Sequence, residues 1–164
     1  MRRIAPPLVL GYEIIMVRIS FQASDLQRKL HGAPKSLKKQ VREAMAISMR
    51  DVQERARSDH KFISRTGQAE ESIHKSVIGN GEHVVGTVYT ALPHAVFQHE
   101  GTLAHIIVPR YKKVLRWTDG GAFVFAKRSH VRGIKGDPYI DRAFEREKPA
   151  IVSRFKKVMQ GLGR

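Results

Sequence analysis

Cysteine is absent from the 164 residues, and aromatic side chains make up only 7% of them. A chain without cysteine has no disulfide scaffold and no thiolate zinc site, and it suits a reducing compartment. Long apolar runs are also missing. The apolar stretch at residues 4–10 is broken by two prolines and followed by Glu13, and it is far shorter than the ~20 residues that a membrane helix needs. Disulfide-rich and membrane-spanning classes are therefore not expected.

Acidic residues are scarce as well. Fifteen Asp and Glu face thirty Lys and Arg, so the formal net charge is +15. The excess is concentrated in residues 101–164, where fifteen basic and five acidic side chains give +10. A surplus of this size predicts a polyanionic neighbour, and nucleic acid, an acidic protein face and anionic lipid are the candidates.

A chain of this length suits one domain with a genuine core. We interpret residues 1–15 as an extended N-terminal segment and residues 16–164 as the single domain, with Met16 as a candidate natural start. Alternating apolar and polar residues over 17–21 predict a short strand. A short capped helix is expected to follow over about residues 24–32.

The strongest helical pattern covers about residues 35–59. Pro34 supplies a start signal, because proline fits the first turn of a helix, and apolar side chains recur at steps of three and four. They are Leu37, Val41, Ala44, Met45, Val52 and Ala56. Such a continuous apolar face needs another layer to cover it, and a sheet is expected there.

Strand patterns dominate the middle of the chain. After a brief helical turn capped by Thr66, the runs 73–78 and 83–90 flank Gly79-Asn80-Gly81, and Asn-Gly between such runs predicts a hairpin. Pro93 is expected to start a short helix that ends at Gly101.

Three more strands are predicted, over residues 104–108, 114–117 and 122–126, with a turn at Asp119-Gly120-Gly121 between the last two. Residues 127–136 are predicted to be a glycine-rich basic loop. Its Gly133 and Gly136 are interpreted as turn positions that need a positive φ.

The last element is predicted to be a helix with Asp137 as its cap and Pro138 at its first position. Pro149 is expected to kink or restart it. The predicted fold class is therefore α+β. A mostly antiparallel sheet of four to five strands carries the long helix and the C-terminal helix.

Four short motifs follow one another along residues 35–148. The long helix leads into Thr-Gly and Ser-Ile pairs at 65–73, and an aromatic-to-Glu-Gly-Thr stretch runs from Tyr89 to Thr102. The third motif has three parts, His-Ile-Ile-Val-Pro at 105–109, Leu-Arg-Trp at 115–117 and Gly-Ala-Phe-Val-Phe-Ala-Lys at 121–127. The fourth is Gly-Ile-Lys-Gly-Asp-Pro-Tyr-Ile at 133–140. In this order they resemble the tail-completion or head–tail joining family of long-tailed bacteriophages, also known as neck, minor tail or virion morphogenesis proteins.

The resemblance implies a structural virion protein of a phage or prophage, not an enzyme, assembled in the host bacterial cytoplasm. It implies a homo-oligomeric ring at the neck or tail end. The implied partners are a portal-side adaptor or head-closure protein, the tail terminator and tail tube proteins, and no cofactor. At 137–139 this chain has Asp-Pro-Tyr where members often have a basic residue, proline and phenylalanine, which alters the local charge that meets a partner.

His99, Glu100 and His105 come nearest to a metal-ligand cluster. A zinc-binding helix places two histidines four residues apart, whereas these lie six apart with Gly101 between them. We interpret them as structural or interface residues. Nucleophilic cysteine and the Gly-x-Ser-x-Gly elbow are both missing from the sequence, so no catalytic, cofactor or metal site is predicted.

Basic residues cluster between positions 110 and 135, where only Asp119 opposes them. Three interpretations stay open: a solvated loop, docking onto an acidic neighbouring subunit, and sequence-independent contact with genomic DNA. Few aromatic residues lie among them, so stacking on single-stranded bases is not favoured. The candidate contact residues are Lys127, Arg128, Arg132, Lys135, Arg110, Lys112 and Lys113.

The stretch 93–108 mixes apolar and polar residues, as expected of core or of an edge that pairs with a neighbour in a ring. The candidate subunit-interface residues are Phe97, His99, Glu100, Thr102 and His105.

Two other functions stay open. A small basic ribonuclease of the ribosome-targeting toxin type would also be a compact, positively charged α+β domain, although the length, the long amphipathic helix and the ordered motifs favour the structural protein. A basic DNA-binding accessory protein is the third hypothesis.

Overall fold

The computed structural model describes residues 15–20, 34–79 and 83–161. In these ranges the helices are α1 (Lys35–Ser58), α2 (Gln68–Glu71), α3 (Pro93–Glu100) and α4 (Tyr139–Gln160). The strands are β1 (Ile15–Ser20), β2 (His74–Gly79), β3 (Val84–Thr90), β4 (Gly101–Thr102), β5 (His105–Ile107), β6 (Leu115–Asp119), β7 (Ala122–Ala126), β8 (Ser129–Val131) and β9 (Ile134–Lys135). The chain is therefore a mixture of helix and strand with small antiparallel sheets, as the predicted fold class requires.

Helix α1 matches the long helix predicted over 35–59. Its apolar stripe is buried, and the side chains of Met45, Met49 and Val52 are fully inaccessible to solvent. The stripe packs on β2 and β3 on one side and on α4 on the other. Because α1 contacts both layers, it forms the centre of the core.

The central sheet has three strands in the order β1-β3-β2, all antiparallel. The hairpin predicted from Asn-Gly is present, because β2 and β3 pair directly from His74↔Tyr89 to Gly79↔Val84. The described residues do not form the predicted sheet of four to five strands. The later strand patterns build a separate two-stranded ribbon instead, and α4 packs chiefly on α1, with little contact to the sheet.

Gly86 allows α1 to lie close to the sheet. A Cβ atom added there would sit 2.5 Å from the Sδ atom of Met49 and 2.7 Å from that of Met45. Both methionines are fully buried, so they have little room to move aside.

Gly86→Ala is therefore expected to lower the free energy of unfolding by about 1–3 kcal/mol through overpacking, measured by urea denaturation. Gly161→Ala is the matched control, because no atom lies within 4 Å of the added Cβ at that position. Equal stability of Gly86→Ala and the wild type would contradict the close approach of helix and sheet.

Some local predictions need correction. The short helix α2 is capped by Gly67 at φ 74°, not by Thr66. Pro138, not Asp137, is the N-cap of α4, and α4 continues as one helix through Pro149 without restarting. Asp137 has a different task, described below.

Other predictions lie outside the described residues: the segment before Ile15, the helix over 24–32 and the Asn80-Gly81 turn. The strand predicted over 17–21 is confirmed as β1, which begins slightly earlier. Among the described helices, none combines the length and apolarity that crossing a bilayer demands.

Candidate functional site: a projecting basic and aromatic arm

Residues 101–135 form a long two-stranded ribbon, here called the arm. Three antiparallel ladders are nested within it: β4 pairs with β9, β5 with β8, and β6 with β7. In the described part of the chain, the sizeable contacts between arm and body join β4 and β9 to α3. The arm is therefore rooted at the end of α3 and extends away from the core.

The ladder slips in the middle of the arm. Ile107 pairs with Ser129 on the root side and Leu115 pairs with Ala126 on the far side, so residues 108–114 on one strand face only residues 127 and 128 on the other. This irregular level carries five cations, here called the collar. They are Arg110, Lys112, Lys113, Lys127 and Arg128.

Beyond the collar lies the tip, residues 115–126. Residues opposite each other in a ladder share a face, so Trp117 and Val124 lie on one face and Phe125 lies with Arg116 on the other. The Arg116 guanidinium lies 4.8 Å from the centre of the Phe123 ring, within the range of a cation–π contact. The turn predicted at Asp119-Gly120-Gly121 is confirmed, and φ is positive at both glycines.

The root of the arm depends on close backbone approach. A Cβ at Gly133 would lie 2.2 Å from the Thr102 carbonyl oxygen, and one at Gly136 would lie 2.6 Å from the Glu100 carbonyl. The Ile134 amide also donates to Thr102 Oγ1 at 3.1 Å. The expectation of positive φ at Gly133 and Gly136 was wrong, because both are needed where two strands touch.

The predicted loop over 127–136 was also wrong, because it contains β8 and β9. Folding brings Lys127 and Arg128 to the level of residues 110–113, whereas Arg132 and Lys135 lie at the root. The expectation that few aromatic residues lie among the cations was wrong. The Arg110 guanidinium lies 5.5 Å from the centre of the Tyr111 ring, and the aromatic tip follows the collar directly along the chain.

The candidate interface residues divide into two groups. Phe97 and His105 are exposed, Glu100 is half exposed, and Thr102 belongs to the root. His99 is a correction, because it is only 4% exposed and its ring packs edge-on against Tyr139 at 5.2 Å. A buried ring of this kind belongs to the core and cannot itself lie in an interface.

Two carboxylates bracket the buried His99 ring, and the three residues are here called the niche. Glu100 Oε1 lies 3.3 Å from Nδ1, and Asp141 Oδ2 lies 3.9 Å from Nε2. The carboxylate side chains are 52% and 43% exposed, whereas Nε2 is buried without a hydrogen-bond partner among the described residues. Asp141 was not predicted, since it lies some forty residues from His99 along the chain.

Asp137 fastens the arm to the core. Its carboxylate accepts hydrogen bonds from the Lys61 amide at 2.7 Å and from the Arg142 guanidinium, and its own amide donates to the Gln98 carbonyl at 2.9 Å. Burial raises the pKa of Asp137, but the bonds from Arg142 and Lys61 outweigh burial and hold the pKa below its ordinary value of 3.8. The hydrogen bond with Asp137 likewise raises the pKa of Arg142.

A cleft of about 530 Å³ lies between the segment after α1 and helix α3, and its cationic lining comes from Lys61, Arg65 and His94. Beside it, His60 Nε2 lies 3.0 Å from Glu70 Oε1, and His60 Nδ1 lies 3.1 Å from the Phe62 carbonyl oxygen. Both ring nitrogens therefore have partners, which fixes the ring in place.

Groups of three or more side chains suited to hold a metal ion do not occur within 34–79 and 83–161. Comparisons with protein-family models, curated proteins and solved structures gave no match. The resemblance to head–tail joining proteins therefore rests on the sequence motifs alone.

Proposed function

We propose that this chain is a structural virion protein of a tailed phage or prophage that acts at the head–tail junction or tail end, in tail completion and head–tail joining. In this role it assembles as a ring in the host cytoplasm and contacts a portal-side adaptor, the tail terminator and the tail tube. Its mechanism is positional and involves no catalysis. The body provides a rigid block, and the arm reaches the neighbours.

The projecting arm is the observation that carries this proposal. A two-stranded ribbon is marginally stable in water unless something covers it. Here the ribbon exposes Leu103, Tyr111 and Phe123 at 89%, 88% and 62%. Exposed apolar surface on this scale is typical of a protein that works in an assembly. The order of the motifs over residues 65–140 is the reason for proposing head–tail joining as the assembly in which the chain works.

A ribosome-targeting ribonuclease is the alternative that one observation favours. The cleft beside His60 and Glu70 is lined by cations that suit a phosphate backbone. General acid–base catalysis needs a ring nitrogen that can reach the substrate, whereas both nitrogens of His60 are already engaged. A ribonuclease of this type would also leave the arm without a function.

Removal of the gene from the phage or prophage that encodes the chain tests the proposal. We expect electron micrographs to show DNA-filled heads and completed tails that are not joined, and purified protein to restore joined particles when added to the lysate. Joined particles in normal number without the gene would contradict the proposal. Arrest of cell-free translation by the purified protein, relieved by Glu70→Gln, would establish the ribonuclease alternative instead.

A further inference from the structure

The arm exposes an apolar surface that a monomer leaves uncovered. Ten large apolar side chains on it are between 37% and 89% exposed. At about 150–250 Å² for each aromatic side chain, they present on the order of 1,000 Å². The largest patch on a typical monomer is about 300–600 Å², and one side of a standard interface is about 800 Å². They are Leu103, Ile106, Ile107, Val108, Tyr111, Val114, Trp117, Phe123, Phe125 and Ile134.

The charge of the arm restricts what can cover it. Eight Lys and Arg stand against Asp119 alone in residues 101–135, a net charge of +7. Among the described residues, none of the five collar cations takes part in an ion pair. Large apolar groups lie on both faces of the tip, whereas nucleic-acid interfaces are more polar than protein interfaces. A protein surface that combines carboxylates with an apolar contact fits the arm best.

The chain itself carries such a surface at the root of the arm. In the niche, the carboxylates of Glu100 and Asp141 are half exposed on either side of the buried His99 ring. A guanidinium or ammonium group from another molecule would pair with these two exposed carboxylates. Phe97 lies one helical turn before Glu100 on α3 and is 52% exposed, so an apolar contact adjoins the niche.

The arm of a molecule cannot reach its own niche. Glu100 directly precedes the first ladder position, Gly101, whereas the collar begins after Ile107. Six residues of strand at about 3.3 Å each separate them by about 20 Å along a paired ribbon. Contact between collar and niche therefore joins two molecules. Repeated head to tail, such a contact closes into a ring or continues as a filament.

We propose that the collar and aromatic tip of one copy dock on the niche and Phe97 of the next copy. The occupant of the arm is thus a second copy of this chain. This inference rests on the proposed function insofar as it names the contact that builds the ring. Its success or failure is measured on the purified protein, independently of particle joining.

Charge reversal on either side of the contact, in the arm or in the niche, tests the proposal. Self-association of each variant is measured by sedimentation velocity in low salt. The arm variant is Lys112→Glu with Lys113→Glu, and the niche variant is Glu100→Lys with Asp141→Lys. Each variant alone is expected to associate on the order of 100-fold more weakly than the wild type, because one charged partner is replaced by a like charge. Equimolar mixing is expected to restore association, which also shows that both variants fold.

Lys156→Glu with Lys157→Glu is the charge-matched control, since both lysines are exposed on α4 far along the chain from the arm, and wild-type association is expected of it. The inference is overturned by a wild-type monomer at tens of micromolar, by an arm variant that associates normally, or by a mixture that stays monomeric. A monomer that binds a 30-base-pair duplex through Lys112 and Lys113 would assign the collar to nucleic acid. Loss of particle joining with intact self-association would contradict the proposed function and leave this contact standing.

Discussion

A shortened arm is expected to abolish assembly without unfolding the protein. Residues 108–128 are replaced by Asn-Gly, which closes a two-residue hairpin directly between the paired residues Ile107 and Ser129. The change removes the collar and the tip together but leaves α1, the central sheet and the root of the arm intact. We expect joined particles to fall to the number seen without the gene, and the purified variant to be a monomer.

Two measurements make this result interpretable. Thermal unfolding is expected to stay within about 4 °C of the wild type, the shift that ~1 kcal/mol would cause in a domain of this size. The variant with Lys156→Glu and Lys157→Glu, which keeps the arm, is expected to complement fully. Normal joining by the shortened protein would show that the arm has no part in assembly.

Asp137→Ala is expected to cause the largest loss of stability. The carboxylate joins the segment after α1 to α4 through Lys61 and Arg142, and its removal leaves a part-buried guanidinium without its main partner. Breaking a buried pair from one side costs about 3–5 kcal/mol, and a value near the lower end is expected because Arg142 keeps its contact with Asp59. Urea denaturation at neutral pH measures the loss.

The same pair predicts a dependence on acid. Because the folded pKa of Asp137 is below 3.8, its contribution is complete above the unfolded pKa and is lost as pH falls through the folded one. Asp137→Asn is expected to flatten the fall in stability below about pH 4, and the lowered pKa of Glu70 accounts for part of the remaining slope. Glu145→Ala, which removes an exposed ion pair with Lys148, is the control and is expected to cost under ~1 kcal/mol. An unchanged acid profile in Asp137→Asn would contradict the role of the pair.

The elements with long local patterns were the ones that could be predicted. Helix α1 was predicted over 35–59 and found at Lys35–Ser58, because 24 residues of one apolar stripe and a proline start signal agree. The turn at Gly120 and Gly121 could also be predicted, because the ability of glycine to adopt a positive φ is a local property of the chain.

The arm could be predicted only in pieces. Strands β8 and β9 have three and two residues, too few for a recognisable alternation. Their partners lie far back along the chain, as the pairs Gly101↔Lys135 and His105↔Val131 show. Without those pairings, residues 127–136 have the composition of a loop. The collar was missed as a unit because its cations come from two separate segments, 110–113 and 127–128. A change of pairing register between β5–β8 and β6–β7 brings these segments together.

The niche was also beyond prediction from sequence. His99 sits between Gln98 and Glu100, which suggests an exposed position, but Tyr139 and Asp141 of α4 approach its ring across the fold. Only tertiary packing determines that one histidine is buried while the carboxylates beside it stay half exposed.

The mass of the purified protein in low and high salt, with and without the tail-terminator neighbour, tests the central claim most directly. Light scattering is expected to give a defined multiple of the 18.6 kDa chain in low salt or with the neighbour, and a smaller species as salt screens the collar. A monomer of the same mass in every condition would contradict an assembly protein that works through its arm.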